Sequence, residues 1–380
     1  MAIDKITTAA ITDGTITSSD LASGAVQNQS AFKNIIINGS MDISQRGTSF
    51  TSVTANTYTL DRWLTSGTGY TLTITQDTDV PTGQGFAKSN KLQVTSANTS
   101  PSAGESLQYQ TRFEGQMLQY LKFGTSSAES LTLSFWVKSN LTGVYCTEFQ
   151  NDDNDKTRGA NFTISSADTW EKKTITISGD TASGFTNDNN RSMRLSFGLM
   201  SGSNTTGTNA SIANWVTRSS NTTSIFPNLG VNFCSSTSNY INIVGVQLEA
   251  GTSASDFEFL PTDVNLTRCQ RYYQKSYDLG TAPGTATDNG VGWTSGSGDS
   301  NGNAAFLPPF KTTMRAAPTV TGYARDGTSG QGSYFRNGAS GNGTLAAHMY
   351  GQNSASIYIG TGSGWSTSVI AAHYVLSAEI

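Results

Sequence analysis

The sequence predicts an all-β protein: a jelly-roll β-sandwich followed by a second, C-terminal β-sandwich, with an extended segment at the N-terminus. The chain has 53 Thr, 49 Ser and 28 Asn, together 130 of its 380 residues, and 39 Gly. Thr favours strands, whereas Ser, Asn and Gly favour turns. Charged residues make up 13%, against about 25% in an average protein, which excludes a helical bundle. Short alternations of apolar and polar residues, typical of half-buried strands, recur through the middle of the chain.

The charge balance, the hydropathy and the cysteine content argue against several further classes of protein. The 23 Lys and Arg against 27 Asp and Glu give a net charge of −4, so we predict no nucleic-acid partner. The longest apolar runs are too short for a membrane span, so we predict no membrane insertion. The first residues lack a signal-peptide pattern, and we expect release by lysis or by a dedicated machine. Cys146, Cys234 and Cys269 are few and dispersed, which favours buried free thiols.

Residues 1–30 carry an apolar stripe with a spacing of five. The stripe consists of Ile6, Ile11, Ile16, Leu21 and Val26. Neither a helix nor a simple strand has this period, so we expect short extended steps joined by turns. Such a strip buries its stripe only against copies of itself or in a larger assembly, which predicts an attachment segment; a flexible tail is the alternative.

Residues 31–262 are predicted to form one β domain. Its strand-like runs are 34–38, 71–75, 91–95, 131–138, 170–177, 193–197, 230–234 and 240–249. The apolar spacing over 113–121 predicts one helix. Many strands separated by turn residues are typical of a sandwich or jelly roll. The acidic run 151–155 is interpreted as a solvated hairpin tip.

Residues 263–380 are predicted to form the second β-sandwich. Pro261 suggests the boundary, because the residue before a proline is held extended. The stretch 266–273 is either a strand or a short helix, 283–303 is predicted to be a loop, and 374–380 a strand. We expect this domain to close a trimer and to face the outside.

Aromatic residues in Gly-, Ser- and Asn-rich stretches are the candidate binding residues. Sugars stack on aromatic faces and hydrogen-bond to amides and hydroxyls. The candidate glycan-binding residues are Trp215, Trp293, Tyr350, Tyr358 and Trp365. For each of these tryptophans, a hydrophobic patch or a subunit contact is the alternative. Trp63 and Trp136 lie in strand-like runs and are predicted to be core.

Neither catalysis nor a metal centre is predicted. The two histidines, His348 and His373, are 25 positions apart and are interpreted as structural strand residues. A glycosidase needs two carboxylates about 5–10 Å apart. The candidate glutamates, none in a distinctive setting, are Glu105, Glu114, Glu129, Glu148 and Glu171. The sequence therefore predicts a protein that is not an enzyme.

The middle region resembles the jelly-roll carbohydrate-binding modules. The matching stretches are 34–42, 61–63, 131–138, 168–170, 174–177 and 241–249. The resemblance implies carbohydrate binding and a structural calcium between the first and last strands. Asp42 and Glu249 lie near the matching places, but 243–246 replaces the family's acidic pair. We therefore predict no cofactor, and calcium stays an open alternative.

The layout of the whole chain resembles bacteriophage fibre proteins, above all those of marine phages. The N-terminal stripe is similar to their N-terminal segments, and 246–251, 257–261, 268–273 and 314–320 are similar to their junction and C-terminal domain. The resemblance implies a homotrimeric virion appendage with an attachment end and an adhesive end.

These observations together predict a structural virion fibre protein, a tail fibre first of all. It would be made in the host cytoplasm, be located in the virion, and dock on other virion proteins through its stripe. It would bind host polysaccharide or lipopolysaccharide polyvalently, which raises apparent affinity without new contacts. One alternative is a capsid-bound head fibre or decoration protein without a receptor. The other is a polysaccharide depolymerase.

Overall fold

The computed structural model describes residues 32–204, 212–218, 226–296, 303–336, 339–348, 351–360 and 368–380. The predicted anchoring stripe (Ile6, Ile11, Ile16, Leu21, Val26) and two candidate binding residues, Tyr350 and Trp365, lie outside the described residues. Contacts divide the chain into Met1–Lys33 and Asn34–Ile380. The second unit holds both predicted β domains. The predicted boundary between them at residues 262 and 263 stays a prediction.

The described part of the chain is built almost entirely of antiparallel strands. The strands are β1 (Ser49–Val53), β2 (Thr57–Tyr58), β3 (Leu64–Thr68), β4 (Thr71–Asp77), β5 (Ser89–Ser96), β6 (Ser106–Glu114), β7 (Leu131–Ser139), β8 (Gly143–Asn151), β9 (Lys156–Ile164), β10 (Glu171–Ile177), β11 (Arg191–Ser201), β12 (Val216–Thr217), β13 (Tyr240–Ala250), β14 (Tyr273–Lys275), β15 (Gly292–Gly296), β16 (Asn303–Phe306), β17 (Thr319–Tyr323), β18 (Gln331–Arg336), β19 (Ala339–His348), β20 (Ser356–Gly360) and β21 (Ser368–Ser377). The α-helix is α1 (Thr262–Gln270).

Two sheets form the first sandwich. The first has the order β1-β4-β5-β13-β7-β10 and the second the order β12-β9-β8-β11-β6-β3-β2. One apolar cluster contains buried residues from both sheets. Within it the ring of Trp63 stacks on Tyr109 with centroids 5.1 Å apart. Trp63 is fully buried and Trp136 packs partly buried against the same core, as predicted. The predicted all-β jelly-roll sandwich is confirmed.

Strict alternation correctly identifies several strands. In β4, Leu72 and Ile74 are buried while the intervening threonines are half-buried. The runs 71–75, 91–95, 131–138, 193–197 and 240–249 all lie within strands, and 170–177 does so apart from Trp170. These strands can be identified from their own sequences, because apolar and polar residues alternate along a strand that has one buried face.

Two predicted strands are wrong, and asparagine side chains explain why. Residues 34–38 do not form a strand but lead into a turn over 37–40, where Asn38 Oδ1 accepts from Ile43 N and Asn38 Nδ2 donates to Ile43 O. Residues 230–234 run into a 3-10 turn at Phe233–Ser235, where Asn232 Oδ1 accepts from Cys234 N. A side-chain amide that satisfies nearby backbone groups offers an alternative to strand pairing.

The predicted helix over 113–121 is also wrong. Strand β6 continues to Glu114, and two 3-10 turns come next, at Gly115–Met117 and Gln119–Leu121. Phe113, Leu118 and Leu121 are nevertheless buried. These residues are spaced as in a helix only because the end of a strand and two tight turns happen to place them against the same core.

The third sheet contains the remaining strands. Its order is β14-β21-β18-β19-β20-β16, and β15 and β17 also pair with β21. Its own core contains Ile357, Ile359, Ile370 and Leu376. The stretch 266–273 is helical, as part of α1, for most of its length. The predicted loop over 283–303 contains strand β15, which its Gly-rich sequence does not indicate.

An ionic network connects the third-sheet region to the first sandwich. Arg46 Nη1 lies 3.2 Å from Asp61 Oδ1, and Arg46 Nη2 lies 2.9 Å from Glu379 Oε1. Arg62 pairs with the other oxygen of Glu379 and lies over the ring of Tyr272 at 3.5 Å. Asp61 and Arg62 are almost completely buried, so the network joins the two regions away from bulk water.

In the described ranges, no helix has the length and apolar character needed to cross a membrane.

Candidate functional site

Trp293 occupies the outer face of the third sheet. It lies in β15 opposite Ala371 of β21. The β21 residues that alternate with Ala371, such as Ile370 and Ala372, point into the core. The side chain of Trp293 therefore points away from the core, and the residue is 68% exposed.

The neighbours of Trp293 on this face are apolar or carry hydroxyls. Val369 lies opposite Ser295 on one side and opposite Phe335 on the other. Val369 and Phe335 are each 37% exposed. We call the set Trp293, Ser295, Ser333, Phe335, Val369 and Ala371 the Trp293 face.

The charges next to the Trp293 face cancel. Arg325 lies over the ring of Phe335, 5.0 Å from its centroid, and pairs with Asp288. A flat indole beside hydroxyls and a neutralised ion pair can stack on the C–H face of a sugar ring. The same features can serve a subunit contact.

The other described aromatic candidates are placed differently. Trp215 donates from Nε1 to Ser178 O at 2.9 Å and meets the ring of Phe123 edge-on at 5.6 Å. It packs partly buried against the core of the first sandwich. Tyr358 is half-buried in β20, between Ala346 and Ala305. Strands β21, β18 and β19 separate it from Trp293 in the sheet order, so the described candidates do not converge on one site.

A largely buried layer of polar side chains, which was not predicted from the sequence, lies on the second sheet. In β6, Leu107, Tyr109 and Phe113 enter the core. The residues that alternate with them point to the other side of the sheet, where Gln108 and Gln110 are nevertheless buried. Arg112 donates from Nε to Gln110 Oε1 at 3.0 Å, and Gln110 donates from Nε2 to Gln108 Oε1 at 3.0 Å. The sequence pattern that indicates this strand is the alternation S-L-Q-Y-Q-T-R-F-E over 106–114. It was missed because the apolar spacing over 113–121, which overlaps its end, favours a helix.

Strands β8 and β11 extend this polar layer. Arg194 lies opposite both Arg112 and Gln150, and Ser196 lies opposite both Gln110 and Glu148. We call the set Gln108, Gln110, Arg112, Glu148, Gln150, Arg194 and Ser196 the polar face. Burial raises the pKa of Glu148, whose Oε1 accepts a hydrogen bond from Thr157 Oγ1 at 2.6 Å.

One end of the polar face is covered by the chain itself. The ring of Phe226 packs on Gly198 so closely that a Cβ would not fit, and Pro227 does the same at Gly159. Phe226 and Cys146 form a small buried cluster there. The opposite end is more open, because Arg112 and Arg194 are only partly buried.

The acidic run 151–155 is the turn between β8 and β9, as predicted. Its first carboxylate is not solvated, however. Asp152 accepts from Arg191 Nε at 2.9 Å, from Arg194 Nη2 at 2.7 Å and from Gln150 Nε2 at 3.0 Å. The tip therefore anchors the arginines at the open end of the polar face.

The candidate glutamates for catalysis all have partners within the chain. Glu114 accepts both a bidentate pair from Arg271 and a hydrogen bond from Tyr272; burial opposes its ionisation, but these bonds outweigh burial and lower its pKa. The partners of the remaining glutamates are Asn98 for Glu105, Lys122 for Glu129, Thr157 for Glu148 and Lys173 for Glu171.

His373 is a buried strand residue, as predicted, and the side chain of His348 lies outside the described residues. His373 Nε2 lies 2.9 Å from Thr287 O, which can only accept, so Nε2 carries the proton. Its Nδ1 then accepts from Ser276 Oγ at 3.0 Å. The ring stacks on Tyr277 with centroids 3.8 Å apart. Burial lowers the pKa of His373.

The residues at the expected calcium position do not fit a calcium ion. Glu249 Oε1 accepts from Gln247 Nε2 and Ser255 N, and Oε2 accepts from Ser255 Oγ. Asp42 is exposed. Across the described ranges no three His, Cys, Asp or Glu side chains are grouped so that they could hold a metal ion.

No model of a known protein family matches the chain, and no curated protein sequence matches it. Among solved structures it is similar to the enzymatically active domain of tailspike protein 4 of bacteriophage CBA120, with 17% identity and a TM-score of 0.31. That match covers 57% of this chain and 21% of the tailspike, so the chain spans about a fifth of its length.

Two further similar structures are binding modules. The family 11 carbohydrate-binding module from Clostridium thermocellum, in complex with a mixed-linked tetrasaccharide, has 10% identity and a TM-score of 0.26, over 55% of this chain and 99% of the module. The tandem CBM22 domain from Paenibacillus barcinonensis has 9% identity and a TM-score of 0.25, over 88% of this chain and 99% of the tandem. All three TM-scores are below 0.5, and the sandwich assignment rests on the strand order of this chain itself.

Proposed function

We propose that this chain is a non-enzymatic fibre protein of a bacteriophage particle, a tail fibre, that binds host cell-surface glycans through the Trp293 face. The exposed apolar patch centred on Trp293 carries the glycan part of the proposal. Trp293 is 68% exposed and forms one apolar patch with Phe335 and Val369, each 37% exposed, and contiguous exposed apolar patches mark interaction sites whereas single exposed residues do not. The other residues of the face are the hydroxyl-bearing Ser295 and Ser333 and the apolar Phe335, Val369 and Ala371, which suit a sugar ring.

The layout of the sequence supports the fibre part. The stripe of Ile6, Ile11, Ile16, Leu21 and Val26 would anchor the chain to other virion proteins. A homotrimer would then present three copies of the Trp293 face on one appendage. Linked weak sites raise apparent affinity by about 10²–10⁴-fold without any new contact.

Glycan binding by the full-length chain tests the adhesive part. On an array of bacterial surface glycans, we expect Trp293→Ala to weaken binding by at least tenfold, since stacking on the indole is lost. Leu307→Ala is the matched control, because Leu307 is 72% exposed and comes directly after β16, outside the face. Equal binding by Trp293→Ala and the wild-type protein would show that this face is not the glycan site.

Particle incorporation tests the anchoring part. We expect the double substitution Ile11→Asp and Ile16→Asp to leave a soluble chain that no longer joins particles. Normal incorporation of this variant would refute the anchor. Electron microscopy of particles carrying a labelled chain distinguishes the tail from the capsid, where the head-fibre alternative places it.

A further inference from the structure

The Trp293 face is closed at one end by the chain itself. His373 follows Ala371 by two positions along β21 and therefore points to the same side of the sheet. The ring of Tyr277 stacks on it with centroids 3.8 Å apart, and Thr287 O lies 2.9 Å from its Nε2. His373 is fully buried, whereas Trp293 is 68% exposed. The open part of the face therefore begins beyond the segment that contains Thr287.

An ion pair lies at this border. The two carboxylate oxygens of Asp288, the residue after Thr287, accept from Nε and Nη2 of Arg325. The guanidinium lies over the ring of Phe335, 5.0 Å from its centroid. The side chain of Asp288 is 63% exposed and that of Arg325 is 35% exposed. The pair therefore stands beside the apolar patch and is accessible to a ligand that covers the patch.

The main chain of Arg325 is held in place on both sides. Arg325 N donates to Ser333 Oγ at 3.0 Å, and Arg325 O accepts from Thr287 N at 3.0 Å. Ser333 Oγ donates to Asn342 Oδ1 at 3.0 Å, and Asn342 Nδ2 donates to Asp326 Oδ2 at 2.7 Å. A binding group that is fixed in advance loses less conformational entropy when its ligand binds.

The ion pair keeps hydrogen-bonding groups for a ligand. A guanidinium has five N–H donors, and among the residues that the structure describes none accepts from Arg325 Nη1. Each oxygen of Asp288 can accept more than one hydrogen bond. A hydroxyl group both donates and accepts. Adjacent hydroxyls of a sugar ring can therefore donate to Asp288 and accept from Arg325 at the same time.

The charges of this border disfavour an acidic ligand. Asp288 and Arg325 neutralise each other, and the carboxylate that Asn342 binds, that of Asp326, is negative. An oxyanion would compete with Asp288 for the Nε and Nη2 edge of Arg325, which already binds a carboxylate bidentately. It would also approach a carboxylate that is more exposed than its partner. An uncharged ligand meets neither cost.

The apolar patch is longer than a single sugar ring. Trp293 and Phe335 lie on opposite sides of β21 and are two positions apart in register. The usual strand spacing and rise per residue place their Cα atoms about 12 Å apart. A chain of sugar units can therefore stack on Trp293 and reach the ion pair beside Phe335 with its next unit.

We propose that the ligand of the Trp293 face is an uncharged polysaccharide, and that Asp288 and Arg325 bind adjacent hydroxyls of the sugar unit next to the one stacked on Trp293. The proposal rests on the proposed glycan-binding function and deepens it. It names the charge class of the glycan and two residues that determine specificity.

The array of bacterial surface glycans that tests Trp293 also gives the charge class, when it is probed with the full-length chain. We expect the glycans that bind to lack carboxylate, sulfate and phosphate groups. Uncharged glycans should bind at least tenfold more tightly than acidic ones at low ionic strength, where the charge of Asp288 is screened least.

Three variants locate the site. Asp288→Asn should weaken binding of uncharged glycans by about tenfold, the loss expected for a hydrogen bond to a charged group. It should also strengthen binding of acidic glycans, because Arg325 loses its carboxylate partner, and misfolding cannot imitate such a gain. Arg325→Gln should weaken binding of uncharged glycans by a similar factor. Glu129→Gln is the matched control, because Glu129 forms an exposed ion pair with Lys122 in the first sandwich, and it should change neither class.

The outcomes separate the two proposals. Acidic glycans that bind as tightly as uncharged ones, or an Asp288→Asn chain that binds like Glu129→Gln, would overturn the role of the ion pair while leaving glycan binding through Trp293 intact. Absence of binding to every glycan would overturn the proposed function as well. A change of oligomeric state in Trp293→Ala, measured by sedimentation, would then assign the face to a second copy of the chain.

Discussion

Arg62 and Glu379 form an ion pair although 317 positions separate them in the sequence. The side chain of Arg62 is 1% exposed and that of Glu379 is 7% exposed. Glu379 also binds Arg46, so one carboxylate holds two guanidiniums of the first sandwich. These bonds fix the end of the chain at Glu379 against two turns that come more than 300 positions earlier.

Removal of this carboxylate should be strongly destabilising. We expect Glu379→Ala to lower the free energy of unfolding by about 3–5 kcal/mol, because breaking a buried pair leaves an uncompensated charge. Urea denaturation measures the change. The matched control is Glu129→Ala, whose partner Lys122 is 53% exposed and whose loss should cost at most about 1 kcal/mol. Equal effects of the two substitutions would contradict a buried, stabilising network.

Acidification should destabilise the protein through His373. Its pKa is lowered by burial, so the unfolded chain takes up the proton at a higher pH than the folded chain. The stability it contributes is therefore complete above about pH 6.5 and falls as the pH drops through that value. Urea midpoints at pH 7.5 and 5.5 should differ more in the wild-type protein than in His373→Gln.

Asp61 has the opposite effect on the pH dependence of stability. The wild-type protein must therefore be compared with His373→Gln to isolate the contribution of the histidine. Burial raises the pKa of Asp61 to about 6, so the folded chain holds this proton more tightly than the unfolded chain. The contribution of Asp61 to stability grows as the pH falls below about 6. An unchanged pH dependence in His373→Gln would show that the histidine does not contribute.

Lys275 should make the protein more stable between about pH 8 and 9.5. It is 1% exposed and donates from Nζ to Leu279 O at 2.9 Å and to Thr281 O at 2.7 Å. Burial lowers its pKa to about 8. Above that value the unfolded chain binds the proton that the folded chain has lost, so stability rises with pH. Lys275→Met should abolish this rise, and a rise that persists in the variant would assign it to other groups.

The packing of Phe226 on Gly198 should protect Cys146 from thiol reagents. Burial raises the pKa of the Cys146 thiol, and Phe226 lies in the same small cluster. A Cβ at position 198 has no room beside the ring of Phe226, so Gly198→Ala should displace the ring and speed labelling of Cys146. Mass spectrometry of labelled peptides checks this, with buried Cys234 and Cys269 as internal controls. Uniform labelling of all three thiols would indicate general unfolding instead.

The tryptophans should differ sharply in their effect on stability. Trp63→Ala should cost about 3–5 kcal/mol, because Trp63 is fully buried and donates from Nε1 to Asn38 O at 3.1 Å. Trp293→Ala should change the free energy of unfolding by less than about 0.5 kcal/mol, as expected for an exposed side chain. A large loss in Trp293→Ala would mean that the residue is structural and would weaken its proposed role in binding.

Strands such as β4 and β7 could be predicted from sequence, because the burial of one face makes apolar and polar residues alternate. This pattern can be read without knowing which strand pairs with them. The β6 alternation was equally local, but the apolar residues after Gly115 imitated a helix. The turn at 37–40 could not be predicted from the apolar run before it, since it depends on Asn38 Nδ2 donating to Asp61 O across the fold.

The residue types available for binding were visible in the sequence, but their exposure and grouping were not. Trp215 and Trp293 occur in similarly polar stretches, yet one packs on Phe123 and the other faces solvent. Arg112 and Arg194 are far apart in the chain and meet because β6 pairs with β11 in one register. Composition and alternation are properties of single segments, whereas burial and charge pairing arise only when distant strands share a sheet.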